Sequence, residues 1–452
     1  MVINISNIEA FQWKVSACYL IRICYPKAGK EKEKLVNLYF KLCDDDTPII
    51  KRTAAKEFGP LCLIIEKDTV KSQMFNCYKK FMNESDTVRV TILPSIVQLS
   101  KIFQDPELQK SHIQSINNAS IDKSWRVRNE LANLYPQFID YFQNNPNSDL
   151  VQPMCTLMKD SETEVKASAL KSLNKIITKF PKDKVISKIV PTLRGLNNES
   201  NKDTKSNIGL LFGPISKIIG YDEFNSNLGP LFDSLMKDEN AEVRLGVVKS
   251  MFDIITSCER NLLSSINLLL GVMQKDEQYR IRECVYDTLA KLGIKYGLEM
   301  FKKYLEGLFF NYLSDNVASV REIGVKNLPG LIKQFGNNWV IKDLIPKLTS
   351  NLNGQNISYL NRMCIIHSVV TCTQFLDEKQ NEEFIEPILN RGLVDSIPNV
   401  KFYTIKLIET IWKYFDESSK NKLEEKIKVL INDEDIDVKY FANKFINNNT
   451  PK

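Results

Sequence analysis

The sequence predicts an all-α solenoid of stacked helical hairpins, and three observations carry the prediction. A short pattern recurs every 38 to 40 residues along the chain, the segments between its copies space their apolar residues as helices do, and no alternating strand signal interrupts them. A chain of 452 residues with 43% apolar and 26% charged residues is neither disordered, nor collagen-like, nor a coiled coil.

The recurring unit is an acid or polar residue, four variable residues, an aliphatic, then Lys or Arg. It reads Asp45 to Lys51, Asp122 to Arg128, Asp160 to Lys166, Asp238 to Arg244, Asp276 to Arg282, Asp315 to Arg321, Asp395 to Lys401 and Asp433 to Lys439. Weaker copies run from Asn83 to Arg89, Glu199 to Lys205 and Gln355 to Asn361, and Thr204 replaces the aliphatic in one of them. The aliphatic position falls at 50, 88, 127, 165, 204, 243, 281, 320, 360, 400 and 438. Pro153, Pro191, Pro230, Pro346 and Pro387 lie 12 to 14 residues before it in their own units.

Each unit reads as two antiparallel helices. Leu228 to Met236 is one, Lys237 to Glu242 is the polar turn, and Val243, Val247, Met251 and Ile254 form the apolar stripe of the next. A proline inside the first helix should bend it, because the ring removes one backbone hydrogen bond. The acidic turn residue can accept from free N–H groups where the second helix starts. One hairpin of this size buries too little surface to stand alone, so neighbours must stack into a curved rod with a continuous core. The turns inside the repeats would then align as a ridge on one edge.

Enzyme readings start with a handicap, since His112 and His367 are the only histidines. Phosphate-binding glycine loops, Gly-x-Ser-x-Gly and His-Glu-x-x-His are absent. Cys364, His367 and Cys372 are close in sequence, but they lie along an apolar helix with no fourth ligand, so they read as core residues rather than a metal site. No cofactor is expected. The ten cysteines are scattered through apolar runs, as in a reduced intracellular protein. No segment is long and apolar enough to span a membrane, and the expected compartment is the cytoplasm, with the nucleus also open to it. The excess of 61 Lys and Arg over 55 Asp and Glu is too dilute to imply nucleic acid.

The period and the aliphatic-basic signature resemble HEAT repeats, and the fold class is therefore an all-α HEAT-repeat α-solenoid of about eleven hairpins with an N-terminal half-repeat. Several stretches resemble more specifically the scaffold (A, 65 kDa structural) subunit of protein phosphatase 2A. They are Ser16-Ala17-Cys18 with Cys24-Tyr25-Pro26, Asp45 to Pro48 with Arg52 and Ala54-Ala55, and Asp122 to Arg128. The likeness continues in Ala241 to Leu245, Lys333 to Trp339 with Ile345-Pro346-Lys347, and Asp435 to Ala442. It runs from about Lys14 to about Asn447. Against that family, the chain starts inside the second helix of a repeat, Tyr279 stands where Trp is typical, and the turn from Gln355 is one residue longer.

The resemblance implies a non-catalytic scaffold that holds a phosphatase catalytic subunit on its last five repeats and a regulatory (B-type) subunit nearer the N-terminus. The assembly would be a heterotrimer rather than a homo-oligomer, without membrane or nucleic acid. It implies one solenoid over 1–447, with a half-repeat or cap at 1–30, a regulatory arm at 31–261, the catalytic-subunit side at 262–447, and a disordered tail at 448–452. The acid and base of successive turns read as a hydrogen-bonded ladder between repeats, with partner contacts as the other reading. The variable turn positions are the candidates for binding. For the regulatory subunit these are Pro48, Lys51, Arg52, Lys123, Ser124, Trp125, Arg126, Glu162 and Glu164; Trp125 with Arg126 leads, because Trp and Arg dominate interface hot spots. For the catalytic subunit, the resemblance carries over Tyr279, Arg280, Val317, Ser319, Tyr359, Pro398, Asn399, Ile436 and Asp437. A HEAT-repeat adaptor for transport cargo or nucleic acid is the alternative.

Overall fold

A computed structural model describes residues 2–6, 10–102, 106–142, 149–257, 270–354 and 357–449. Among the described residues every regular element is helical. The chain divides into two compact units, Met1–Ile254 and Ile255–Lys452.

The first unit opens with the short helix Val2–Ser6 packed on Phe11–Cys24. Six hairpins follow, whose second helices begin at Pro48, Asp86, Trp125, Thr163, Lys202 and Ala241. In the second unit the second helices begin at Tyr279, Ala318, Tyr359, Pro398 and Ile436. The last helix, Ile436–Asn449, runs two residues past the point where the sequence reading ended the array. Cys258 and the expected arm boundary at 261/262 lie outside the described residues.

In nine repeats the aliphatic is the third residue of its second helix and is buried. Ile50, Val127, Val165, Val243, Ile281, Val320, Val400 and Val438 are wholly buried, and Val88 nearly so. The expected stripe of Val243, Val247, Met251 and Ile254 is buried in full. Its partner helix, Tyr221–Met236, begins seven residues before the expected Leu228. Gly220 stands immediately before it at φ +90°, where a side chain would be strained, and lets the chain reverse between repeats in one residue. Gly297 and Gly336 do the same in the second unit.

One repeat departs from the expected register. Leu360 is only half-buried, and the helix start at Tyr359 puts Asn361 in the place of the aliphatic, two residues into the helix. Arg321 and Arg362 are then 41 residues apart, against 39 between Arg282 and Arg321. The insertion is therefore two residues rather than one.

The prolines do less than the sequence suggested. A wide π-turn occupies Val70–Met74, Val185–Ile189, Phe301–Leu305, Val340–Leu344 and Asn381–Ile385. Pro191, Pro346 and Pro387 each stand two residues after such a turn, but Asn76 and Gly307 hold the same place in the other two. The widening belongs to the repeat frame and gives a proline ring room against the preceding carbonyls; it does not need the ring. Pro230 sits in an unbroken α-helix, and Pro153 in the first turn of its helix, where its missing N–H has no intrahelical role.

Cross-repeat packing fixes the stacking distances. In the first unit Gly209 and Gly246 face each other across two second helices. A Cβ on Gly246 would lie 2.5 Å from the Ser206 carbonyl, and Ser250 Oγ donates to the Gly209 carbonyl at 2.7 Å. Phe212, Phe224 and Phe232 pack together with ring centroids 5.6 to 6.2 Å apart. In the second unit the Tyr312 ring covers Gly324, and its hydroxyl meets Ser368 Oγ at 2.8 Å, two second helices on from its own first helix.

Thr204 occupies the aliphatic place wholly buried, and its hydroxyl has no hydrogen-bond partner. Thr204→Val keeps the shape and removes the buried hydroxyl, so it should stabilise the chain by about 1 kcal/mol, read as a higher urea midpoint.

Candidate functional site, the intra-repeat turns

Most of the described turns are built by their acid. Asp122 Oδ1 accepts from Ser124 N at 2.8 Å, Asp160 from Glu162 N, Asp238 from Asn240 N, Asp276 from Gln278 N, Asp315 from Val317 N and Asp395 from Ile397 N, each at 2.9 Å. The donor is the residue just before the helix rather than one inside it, so the acid closes an Asx-turn that aims the chain into the second helix.

The other carboxylate oxygen receives the base of the preceding repeat. In the first unit the rungs are Lys14–Asp45, Lys51–Glu84, Arg89–Asp122, Arg128–Asp160, Lys166–Glu199 and Lys205–Asp238. In the second they are Arg282–Asp315, Arg362–Asp395 and Lys401–Asp433. Where the base is Arg the contact is a fork. Arg282 Nε and Nη2 reach the two Asp315 oxygens at 2.7 and 2.9 Å, while Nη1 donates to the Asp276 carbonyl of its own turn at 2.7 Å. Glu84, not the expected Asn83, supplies its rung, because an amide cannot take the charge.

These rungs are half-sheltered and electrostatically tuned. Burial raises the pKa of Asp238, but the Lys205 ammonium and the Asn240 N–H outweigh it and hold the carboxyl below its ordinary value. Asp45, Glu199 and Asp433 behave alike beside Lys14, Lys166 and Lys401. Hydrogen bonds donated to Asp122, Asp160 and Asp315 raise the pKa of the guanidinium groups of Arg89, Arg128 and Arg282.

Lys51 takes part in the ladder. Its ammonium is bound to Glu84 of the next turn. Pro48 and Arg52 of the same turn are exposed. Trp125 is the first residue of its helix and 39% exposed, with the Arg126 guanidinium 5.7 Å from its ring. Ser124 Oγ donates to Asp86 of the preceding turn at 3.1 Å, and Arg126 reaches the same carboxylate at 3.5 Å. Lys123, Glu162 and Glu164 are exposed.

In the second unit Tyr279 and Tyr359 are each 38% exposed and Ile436 is 78% exposed, all at the first position of their helices. Arg280, Asn399 and Asp437 are exposed, and Val317, Ser319 and Pro398 half-buried. The sequence reading missed Ile49, Ile121, Val394, Ile397 and Tyr440, which are also exposed. Ile121 and Val394 directly precede a ladder Asp, and an apolar residue placed off the helical stripe was the available signal. Cys364 and Cys372 are buried, and His367 Nδ1 is 3.0 Å from the Tyr403 hydroxyl. Among the described residues no group of three or more His, Cys, Asp or Glu is disposed to hold a metal, and no helix is long and apolar enough to cross a membrane.

Comparison with known proteins places this geometry in context. Residues 215–431, just under half the chain, match the family model described as PIK3R4-like, middle domain. The human 65 kDa regulatory subunit (A beta isoform) of serine/threonine-protein phosphatase 2A is 27% identical over 264 residues, 56% of this chain and 43% of that protein. The Dictyostelium discoideum protein phosphatase 2A scaffold subunit is 39% identical over 75 residues, 16% and 13% of the two chains. Human serine/threonine-protein phosphatase 4 regulatory subunit 1 is 27% identical over 248 residues, 50% and 25%. The chain thus spans less than half the length of each of these relatives. Among solved structures, a chain of the Kap95:Nup1 complex has a TM-score of 0.67 at 12% identity over 98% of this chain and 61% of its own. Importin beta has a TM-score of 0.59 at 11% identity, over 98% and 66%. At such identities the likeness is one of fold. The fold is an all-α HEAT-repeat solenoid, and the curated relatives are regulatory and scaffold subunits rather than catalytic ones.

Two outcomes follow from the ladder. Asp160→Ala removes both the Arg128 fork and the acceptor for the Glu162 N–H, and should cost about 2–4 kcal/mol in urea unfolding. The second concerns pH. Asp45, Glu199, Asp238 and Asp433 have folded pKa values below their unfolded ones, so the unfolded chain binds more protons as these groups titrate. Their contribution is complete above the ordinary carboxylate range, about pH 4, and is lost as pH falls through the depressed folded values. A pH series of urea midpoints should be flat on this account from about pH 6 to 5 and fall below about 4.

Proposed function

We propose that the chain is a non-catalytic scaffold of a protein phosphatase 2A-like assembly. The turns of the second unit hold a Ser/Thr phosphatase catalytic subunit, and those of the first hold a regulatory (B-type) subunit, within a heterotrimer built on one solenoid. The supporting observation is the division of labour within each turn. The acid and base are consumed by the stacking, while Trp125, Tyr279, Tyr359 and Ile436, at the first helical position, keep apolar surface exposed. Rigid aromatic and aliphatic anchors of this kind carry binding energy at interfaces. The kinship with named phosphatase scaffold subunits supplies the partner class.

The scaffold works by position. Holding enzyme and specificity subunit on one support raises their effective concentration and fixes their relative orientation. The alternative, an adaptor for nucleic acid, asks for an unpaired basic stripe along the turns. Nine turn cations are instead bound in rungs. Fold likeness to karyopherins keeps the transport adaptor as the second reading.

The decisive measurement is binding of the purified chain to a 2A-type catalytic subunit by surface plasmon resonance. Sub-micromolar binding is expected, and the double variant Tyr279→Ala with Tyr359→Ala should weaken it by about 2–4 kcal/mol. No binding by a folded, monodisperse chain would refute the phosphatase reading.

A further inference from the structure

The ladder of the second unit lacks one internal acid. Arg321 is held as the other ladder arginines are, with Nη1 donating to the Asp315 carbonyl of its own turn at 2.7 Å, just as Arg282 Nη1 donates to Asp276. Its Nε and Nη2 would meet the acid of the following turn. Yet among the described residues Arg321 has no ion pair, and the sequence contains no Asp or Glu between Asp343 and Asp377. The chain cannot supply a carboxylate from its next repeat at this point. The same repeat carries the two-residue insertion before Tyr359, and Arg321 lines a small open cavity of about 160 Å³ together with Glu322, Met363, Cys364, His367 and Tyr403.

We propose that Arg321 receives an Asp or Glu side chain from the protein docked on the turns of the second unit, completing the ladder in trans. The flanking rungs define the chemistry: Arg282 and Arg362 each fork onto one carboxylate with N–O distances of 2.7 to 2.9 Å. The cavity is smaller than the few hundred Å³ that metabolite-sized ligands occupy, so it suits a single side chain. Glu322 at its rim is exposed and would repel a phosphate dianion more than a carboxylate. Tyr359 stands on the adjacent helix start, so the polar contact lies beside one of the exposed anchors. Forked arginine recognition adds register to an interface as well as affinity, because it accepts a carboxylate in one plane and direction.

This inference rests on the scaffold reading, and one experiment separates the two. The full chain, Arg321→Met and Arg321→Lys are titrated against a purified 2A-type catalytic subunit, with thermal unfolding recorded on the same samples. Arg321→Met keeps most of the aliphatic stem and breaks no ion pair among the described residues, so the unfolding midpoint should stay close to that of the wild type. Its affinity should fall about 10- to 100-fold, and Arg321→Lys should lose less. Arg321→Glu is then tested against catalytic subunits in which individual surface Asp and Glu residues are changed to Lys, and one such change should restore binding. Unchanged affinity in Arg321→Met overturns the inference and leaves the scaffold reading standing. Lost affinity that no Asp or Glu to Lys change recovers overturns the carboxylate assignment. A wild-type chain that does not bind removes both.

Discussion

A salt-bridged hydrogen bond between consecutive turns is the constraint on which the rest of this structure depends. One carboxylate shapes its own turn through a backbone N–H and anchors the base of the repeat before it. One guanidinium ties its own turn's carbonyl to the acid of the repeat after it. Every engaged turn is thereby both formed and registered against its neighbour by the same few atoms. Such pairs would add little on an open surface, but here the side chains are largely sheltered and their remaining hydrogen-bonding capacity is used, which is the condition under which an ion pair specifies geometry. The hydrophobic core supplies the bulk of the stability, as in any repeat array, and the ladder decides how one hairpin sits on the next.

This arrangement separates structure from recognition within six or seven residues. The acid, the aliphatic and the base are spent on the frame. The first helical residue points away from the core and is free to vary in type: Trp, Tyr, Pro or Ile in different repeats. A scaffold needs that separation, because a partner surface can then be built by substitution at a few positions without disturbing the stacking. Lys51 shows the boundary from the other side. It sits beside exposed Pro48 and Arg52, yet its charge belongs to Glu84 and the frame.

Legibility followed the same boundary. The repeat length, the buried aliphatics and the exposure of Trp125, Tyr279, Tyr359 and Ile436 were readable because each depends on spacing within a short segment. The readings that failed depended on through-space geometry. Proline looked like the cause of distortion in the first helices, whereas π-turns recur with Asn76 and Gly307 in its place. Leu360 looked like a core aliphatic until the helix start at Tyr359 shifted the register to Asn361. Ile121, Val394 and Tyr440 were passed over because apolar residues next to a turn are ordinarily drawn inward.

By itself the sequence determined the class of fold, the number of hairpins and most of the buried aliphatics, because helical periodicity and a fixed repeat length are local properties of the chain. Only the tertiary structure decided which acid meets which base, that Glu84 rather than Asn83 carries its rung, and that Arg321 is held in the ladder pose with no ion pair among the described residues. Those outcomes turn on distances between residues 31 to 33 positions apart, which are set by how neighbouring helices pack and by nothing within either segment alone.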